Sequence, residues 1–414
     1  MNNSHKIRAI TIGINTPTNK SQDLEKSLKL FIKERDELMQ KSNIQLRTSR
    51  ITFSPLNLNH PIDSASIQSM ANWVTKISNT LGIRWFCMPF NFVDNDFEPS
   101  MVNPIANLIK KFPNSFVNLI IADNKKININ SVNSSAQLIK NISTNTNNGF
   151  DNFRIGVSSN CKPYTPFFPF SYHHDQDGFS LALEVLNLFY NVLEDNQNIK
   201  SNKLRAKLVD ALSAELSFMQ EIGIELEKST GLKFYGVDSS LAPFPDGSDS
   251  VARLMETLGL DSLGSSGTLF FTSFVTNIIN SAFEQSQALK VGFNGVMYSV
   301  LEDDYLALAI KNKKLSIDSL MLYSTVCGCG IDMVPVPGNI FLEEISSLII
   351  DTAALSIALQ KPLGTRILPI PGKNANELTD FNYDFLVDTR VMEIKNQAIN
   401  LDNLSSKVAN LGKQ

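Results

Sequence analysis

The sequence predicts an α/β protein in which strands alternate with crossover helices, and three observations carry that prediction. Short runs rich in β-branched residues alternate along the chain with longer stretches of helical period. Leu204, Leu208, Leu212 and Leu216 recur every four residues, and Gly231 stops that helix directly before another β-rich run. A chain of 414 residues, 43% hydrophobic and 19% charged, can bury a large core and is far from a disordered composition.

The first strand falls at residues 6–15 (KIRAITIGIN), and further strands are expected at 46–54, 84–88, 116–122, 153–157, 233–237, 320–326 and 366–370. Helices are expected at 201–230, after the Gly264-Ser265-Ser266-Gly267 run, and at 342–360, where Lys361-Pro362 ends the last of them. The Asn/Ser/Lys-rich stretch 123–150 has the weakest core signal; it is the place for a soft boundary or mobile excursion in an otherwise single unit spanning 1–414.

The charge balance excludes some classes. A net charge of −4 with no basic run interleaved with aromatics gives no nucleic-acid footprint. The N-terminal apolar run is too short for a secretory signal and later apolar stretches are interrupted, so the expected protein is cytoplasmic and does not span a membrane. Cys87, Cys161, Cys327 and Cys329 are too few for a disulfide framework and read as free thiols.

Chemistry is sought first at LYSTVCGCGIDMVPVPG, where Gly328 and Gly330 flank Cys329. The glycines remove bulk and permit positive φ, so the expectation is a tight hairpin at Cys327–Gly330 that can approach a ligand closely. A thiol there serves as nucleophile, hydrogen-atom donor or soft metal ligand, or else as a small apolar residue in a structural turn. Asp238, where the run FYGVDSS should end a strand, is the favoured carboxylate; an Asx-turn or helix-cap role is its alternative.

Ser265, Ser266, Gly267 and Thr268 form a small-residue loop entering a helix, where free N–H groups favour an anion, although a plain N-cap accounts for the same residues. The loop lacks a P-loop lysine and dinucleotide spacing, so no cofactor is named. PYTPFFPFSYHHD at 163–175 brings His173 and His174 beside an aromatic and proline cluster. His173 is the candidate general acid or base, and Tyr164 joins the substrate-binding set. Adjacent side chains on extended backbone point apart, which argues against chelation by both histidines. Arg366, Lys373 and Arg390 stand beside turns and suit an anionic substrate.

Seven ordered motifs, RIGVSSNCKPYTPFFPFSYH, FYGVDSSLAP, GSSGTL, GVMYSVLEDDYLA, LYSTVCGCGIDMVPVPG, KPLGTRILPIPGK and VDTRVM, resemble the bacterial and archaeal family termed domain of unknown function 711. The resemblance implies a large α/β barrel-like fold similar to pyruvate formate-lyase and other glycyl radical enzymes, with a central finger loop at Cys327–Gly330. By analogy it places the working thiol at Cys327. The C-terminal VDTRVMEIKNQAI lacks the Arg-Val-x-Gly-Tyr radical motif, and Cys329 stands where the family pattern more often has threonine.

These readings lead to an enzyme in which Cys327, Asp238 and His173 act on a small anionic metabolite held by Arg366, Lys373, Tyr164 and the 265–268 helix start, by cysteine or acid/base chemistry without a glycyl radical. Two alternatives stand beside it. One is a non-catalytic metabolite-binding or regulatory protein. The other is a metal-dependent enzyme with Cys327, Cys329 and a histidine such as His174, or Asp238, as ligands. Apolar helices such as 342–360 are compatible with a homodimer.

Overall fold

The computed structural model describes residues 5–15, 21–57, 63–196, 201–381, 383, 385–394 and 408–411. The first half contains strands β1 (His5–Ile14), β2 (Ile44–Phe53), β3 (Trp85–Asn91), β4 (Ser115–Ala122), β5 (Lys126–Asn128) and β6 (Ile155–Ser159). Between them lie helices α1 (Ser21–Lys41), α2 (Ser64–Leu81), α3 (Val102–Lys111) and α4 (Ile129–Asn145). Then follow β7 (Gly178–Leu183), α5 (Leu186–Glu194), α6 (Ser201–Thr230), β8 (Lys233–Asp238), α7 (Val251–Thr257), α8 (Thr268–Ser286), α9 (Asp304–Lys311) and α10 (Ile317–Tyr323). The chain ends with β9 (Gly330–Pro337), α11 (Leu342–Leu359), β10 (Leu363–Ile370) and β11 (Val408–Asn410). Among the described residues no helix is long and apolar enough to cross a membrane.

The strands form one sheet whose ladder runs β8-β7-β1-β2-β3-β4-β6-β10-β9, with β5 and β11 added beside β4. β1, β2, β3, β4 and β6 are mutually parallel. The edge pairs β7–β8 and β10–β9 are each parallel but join the centre antiparallel, at β1 and β6. The ladder does not close into the barrel implied by the family resemblance. Between its edges runs the irregular segment 290–300, which makes isolated bridges from Lys290 to Val237, Val296 to Leu241 and Ser299 to Asp332. Gly292 and Asn294 in that segment have positive φ, a conformation that interrupts a continuous strand.

Alternation along β1 separates two apolar regions. Ile10, Ile12 and Ile14 join the main core under the helices, whereas Ala9 belongs to a smaller cluster on the inner face with Phe167, Phe170, Phe293, Met297 and Cys329. Segment 161–175 crosses that inner face, and small strand residues make room for it. A Cβ on Gly13 would strike the His173 ring, and one on Gly156 would meet Phe170 within 2.9 Å. The element lying over the sheet is thus 161–175, and the Cys-Gly-Cys-Gly run is a tight connection between α10 and β9 in place of the expected central finger.

Two further expectations change. Residues 320–326 do not form the expected strand entering that loop. Most of them lie in or just after α10, which Ser316 caps by accepting from the Ser319 amide, and the strand follows the loop as β9. Stretch 123–150 is folded: α4 buries Ile129, Val132, Leu138, Ile139 and Ile142, and its buried Ser135 hydroxyl donates to the Ser131 carbonyl at 2.6 Å. The acidic run at 302–304 also has a packing role. Fully buried Asp303 accepts from the Leu306 amide of its own helix and from the Val251 and Ala252 amides of α7, capping two helices at once.

Candidate functional site

A cavity of about 560 Å³ opens where the parallel strands begin. Arg8 lies early in β1, Arg47, Thr48 and Arg50 lie on β2, Arg84 and Trp85 lie at the start of β3, and Phe116 begins β4. Asp332 of β9, Arg366 of β10, Cys329 and the turn at Ala242–Phe244 close the other side, with Phe168, Phe170, Phe293 and Met297 between. Arg8 reaches the inner face because β1 slips by one residue against β7 between Ile7 and Ala9. Such a bulge re-aims the extra side chain.

Five arginines and two carboxylates, Glu302 and Asp332, line this space. Arg366 is already committed: its Nε and Nη2 donate to the two Asp332 oxygens at 2.5 and 2.7 Å, and Nη2 approaches Glu302 at 3.4 Å. That carboxylate neighbourhood holds the guanidinium well above its ordinary range despite burial. Arg47 forms a two-pronged pair with Glu184, both contacts at 2.8 Å, and lies over the Phe244 ring.

Arg8 and Arg50 differ. Among the described residues neither has a carboxylate within ion-pair distance. Arg8 donates to the Ala242 carbonyl at 3.3 Å and Arg50 to the Thr48 hydroxyl at 3.1 Å. Burial lowers both, and neighbouring Arg8 and Arg366 help bring Arg50 down to about 9. A guanidinium drawn from water without a carboxylate partner is suited to receiving an anion.

Cys329 lines the cavity, and the hydrogen-bonded thiol of Cys327 lies behind it. Lys361 Nζ donates to the Cys327 and Ser324 carbonyls at 2.5 and 3.0 Å. The hydrogen bond from Cys329 lowers the Cys327 thiol to about 6 against the opposing effect of burial, with Lys361 assisting, and the same bond raises Cys329. The two sulfurs are therefore placed to exchange one proton. The Gly328 amide donates to the Val296 carbonyl at 2.6 Å and the Gly364 amide to the Cys329 carbonyl at 2.8 Å, which fixes the loop.

The family model described as Uncharacterised ACR, domain of unknown function 711, matches residues 1–385. The chain belongs to this family. Its relatives include UPF0210 proteins of Pyrobaculum aerophilum, 24% identical over 90% of this chain and 87% of the relative, and of Methanococcus aeolicus, 24% identical over 91% and 88%. A UPF0210 protein of Clostridium perfringens is 25% identical over 91% of this chain and 88% of its own length.

Of the residues singled out from the sequence of this family member, the cavity gathers Cys329 and Arg366. Asp238 is fully buried beside it. Its carboxylate accepts from the Ser240, Phe293 and Asn294 amides, so it anchors the 292–295 turn. His173 and Tyr164 line a separate void of about 10 Å³ at the far end of β1. Burial pushes His173 down to about 4, which keeps it neutral, with Nε2 facing the Gln176 carbonyl at 3.0 Å. Tyr164 stacks on Tyr235 and donates to Asp175 at 3.0 Å.

Ser265, Ser266, Gly267 and Thr268 do begin a helix, but they lie outside the cavity lining. The Thr268 hydroxyl accepts from the Gly264 amide and donates to the Ser265 carbonyl, so the loop is tied to itself. Lys373 pairs with Asp380 at 2.5 Å, and Arg390 donates to the Lys311 and Asn376 carbonyls. His174 is exposed and accepts from the Asp175 amide. Among the described residues no three His, Cys, Asp or Glu side chains converge to hold a metal, so Cys327, Cys329 and His174 do not form one site. Sequence reasoning missed Arg8 and Arg50, for which the available signal was charge inside strand-forming runs, as in KIRAITIG and QLRTSRITF; Glu302 stands out in the sequence only as part of the acidic run 302–304, which suits a divalent cation or a solvated helix start.

Both Asp249 carboxylate oxygens are buried without a hydrogen bond, and the guanidinium of Arg47, which lines the cavity, approaches one at 3.8 Å. Burial first, then the Glu184 charge, raises Asp249 from 3.8 to about 6. The folded state then binds more protons than the unfolded state between these values, so stability falls as pH rises through this window. Asp249→Asn should raise Tm relative to wild type at pH 8 and have little effect at pH 4. The difference corresponds to on the order of 2 kcal/mol. Equal effects at both pH values would contradict the assignment.

Proposed function

We propose that this chain is an enzyme acting on a small anionic metabolite. The anionic group lies against Arg8 and Arg50 and the apolar body against Phe168, Phe170 and Phe293, and chemistry proceeds through cysteine or acid/base groups without a glycyl radical. The observation that carries the reading is the pair of inward-facing guanidiniums without carboxylate partners in a cavity of about 560 Å³, a volume ordinary for metabolite sites. Glu302, which accepts from the Ser299 hydroxyl at 2.5 Å, is the cavity-facing acid/base group in place of His173. The space between the two sheet edges serves as the counterpart of the barrel interior implied by the resemblance to glycyl radical enzymes.

Calorimetric titration of the full chain with inorganic phosphate and short mono- and dicarboxylates tests this reading. The wild type should bind at least one anion, and Arg50→Met should weaken that binding about 100-fold, the value of one lost charge-assisted contact in a desolvated site. Equal binding of a neutral amide analogue, or an unchanged Arg50→Met, would sink it. The same arginines also fit a non-catalytic binding or regulatory protein, which stabilisation without turnover would favour.

A further inference from the structure

We infer that Cys329 is the reacting thiol of the cavity and Cys327 the group that takes its proton, an assignment that rests on the reading of the cavity as an enzyme site for small anions. Geometry separates the two sulfurs. Both residues are almost closed to bulk solvent, at 1% and 2% exposure, but only Cys329 borders the cavity. A ligand among the arginines therefore meets Cys329, and not Cys327, at the cavity wall.

The loop holds this order rigidly. Gly328 separates the sulfurs and packs against Gly295 so closely that a Cβ on either would come within 3.0 Å of the other's backbone. Lys361 lies on the Cys327 side, with its ammonium on the Cys327 carbonyl, while Asp332 and Arg366 lie on the Cys329 side. The cation behind the pair stabilises negative charge at the inner sulfur, which is where a proton acceptor belongs.

Cys87 and Cys161 show the contrasting arrangement. Cys87 donates to carbonyl oxygens at 3.3 and 3.5 Å and Cys161 to one at 3.8 Å, and burial raises both, Cys161 to about 12. Those thiols have neither a sulfur partner nor a cavity containing unmatched cations.

The step balances without an external oxidant. A lone pair of Cys329 Sγ forms a bond to an electrophilic carbon, the Cys329 S–H proton passes to the Cys327 thiolate, and the leaving group departs with the electron pair of its bond to that carbon. The cavity therefore suits a short anion carrying an activated acyl or alkyl carbon, with its charge at Arg8 and Arg50 and its reactive carbon at Cys329.

Alkylation of the full-length protein, followed by peptide mass spectrometry, tests the assignment with two probes of the same size. Iodoacetate carries the anion and iodoacetamide is neutral; in both, iodide leaves as sulfur bonds to the methylene carbon. Cys329 should be the labelled thiol in the wild type, with iodoacetate about tenfold faster than iodoacetamide because the cationic wall concentrates it. Cys327→Ser should slow labelling of Cys329 about 100-fold, the loss of a positioned proton acceptor, and Cys329→Ser should leave Cys327 unlabelled.

Preferential labelling of Cys327, unchanged Cys329 kinetics in Cys327→Ser, or reaction of both thiols only after denaturation would overturn the assignment. The wild-type pattern decides between the sulfurs even if a variant folds poorly. If Cys329 reacts but shows no preference for iodoacetate, the thiol assignment stands and the anion reading fails.

Discussion

Asp332→Ala should destabilise the folded chain by about 3–5 kcal/mol, the range for removing one member of a buried ion pair. The loss arises from the partner left behind. Arg366 is 6% exposed and directs Nε and Nη2 at the Asp332 carboxylate, with Nη1 on the Phe153 carbonyl at 3.2 Å. Glu302 offers only one long contact, 3.4 Å from Nη2, with the same oxygen already accepting from the Ser299 hydroxyl, so it does not replace a two-pronged partner. Urea unfolding would show the effect as a lower midpoint with little change in slope. Arg366→Met in the Asp332→Ala background should recover much of the loss, because it removes the uncompensated charge and keeps apolar volume. A double variant as unstable as the single one would mean that the loss comes from packing of β9 against β10 and not from the charge.

This pair also shows what a single sequence reveals. Arg366 is identifiable as a cation beside a turn, but its partner is not, because Asp332 lies in a run whose Pro335 and Pro337 mask a strand. Those prolines are tolerated because β9 ends the ladder and pairs along its length only with β10, the opposite side making just the isolated bridge from Asp332 to Ser299. Helix α6 and strands β1 to β4 are readable because their signals are local: leucines every four residues, and β-branched runs between turn residues. Helix α4 is hidden because small serines, four of them buried, pack closely where the pattern calls for bulk.

The cavity is hardest to foresee. Its arginines at 8, 50 and 366 and its thiol at 329 meet only through strand pairings distant in sequence, and Arg8 depends on a one-residue bulge. The Cys-Gly-Cys-Gly run is conspicuous as a pattern, yet which sulfur meets the cavity is set by the approach of Gly328 to Gly295, which spacing alone does not encode.

The glycine after the second thiol supports the other large effect. Gly330→Ala should cost about 3 kcal/mol or more, combining a positive-φ penalty with overpacking against a strand. Gly330 has φ +93°, and a Cβ there would run into the Gly364 carbonyl oxygen and approach its amide nitrogen at 2.9 Å. Gly364 starts the β9–β10 ladder and donates to the Cys329 carbonyl, so neither strand can yield without opening the pairing that seats Cys329. Gly82 provides the control. It has φ +64° after α2, and a Cβ added there would meet nothing within 4 Å, so Gly82→Ala should carry the conformational penalty alone, about 1 kcal/mol. Chemical unfolding of both variants separates strain from collision. If Gly330→Ala is no less stable than Gly82→Ala, the strand approach is soft, and the loop cannot be the rigid support that keeps Cys329 in front of Cys327.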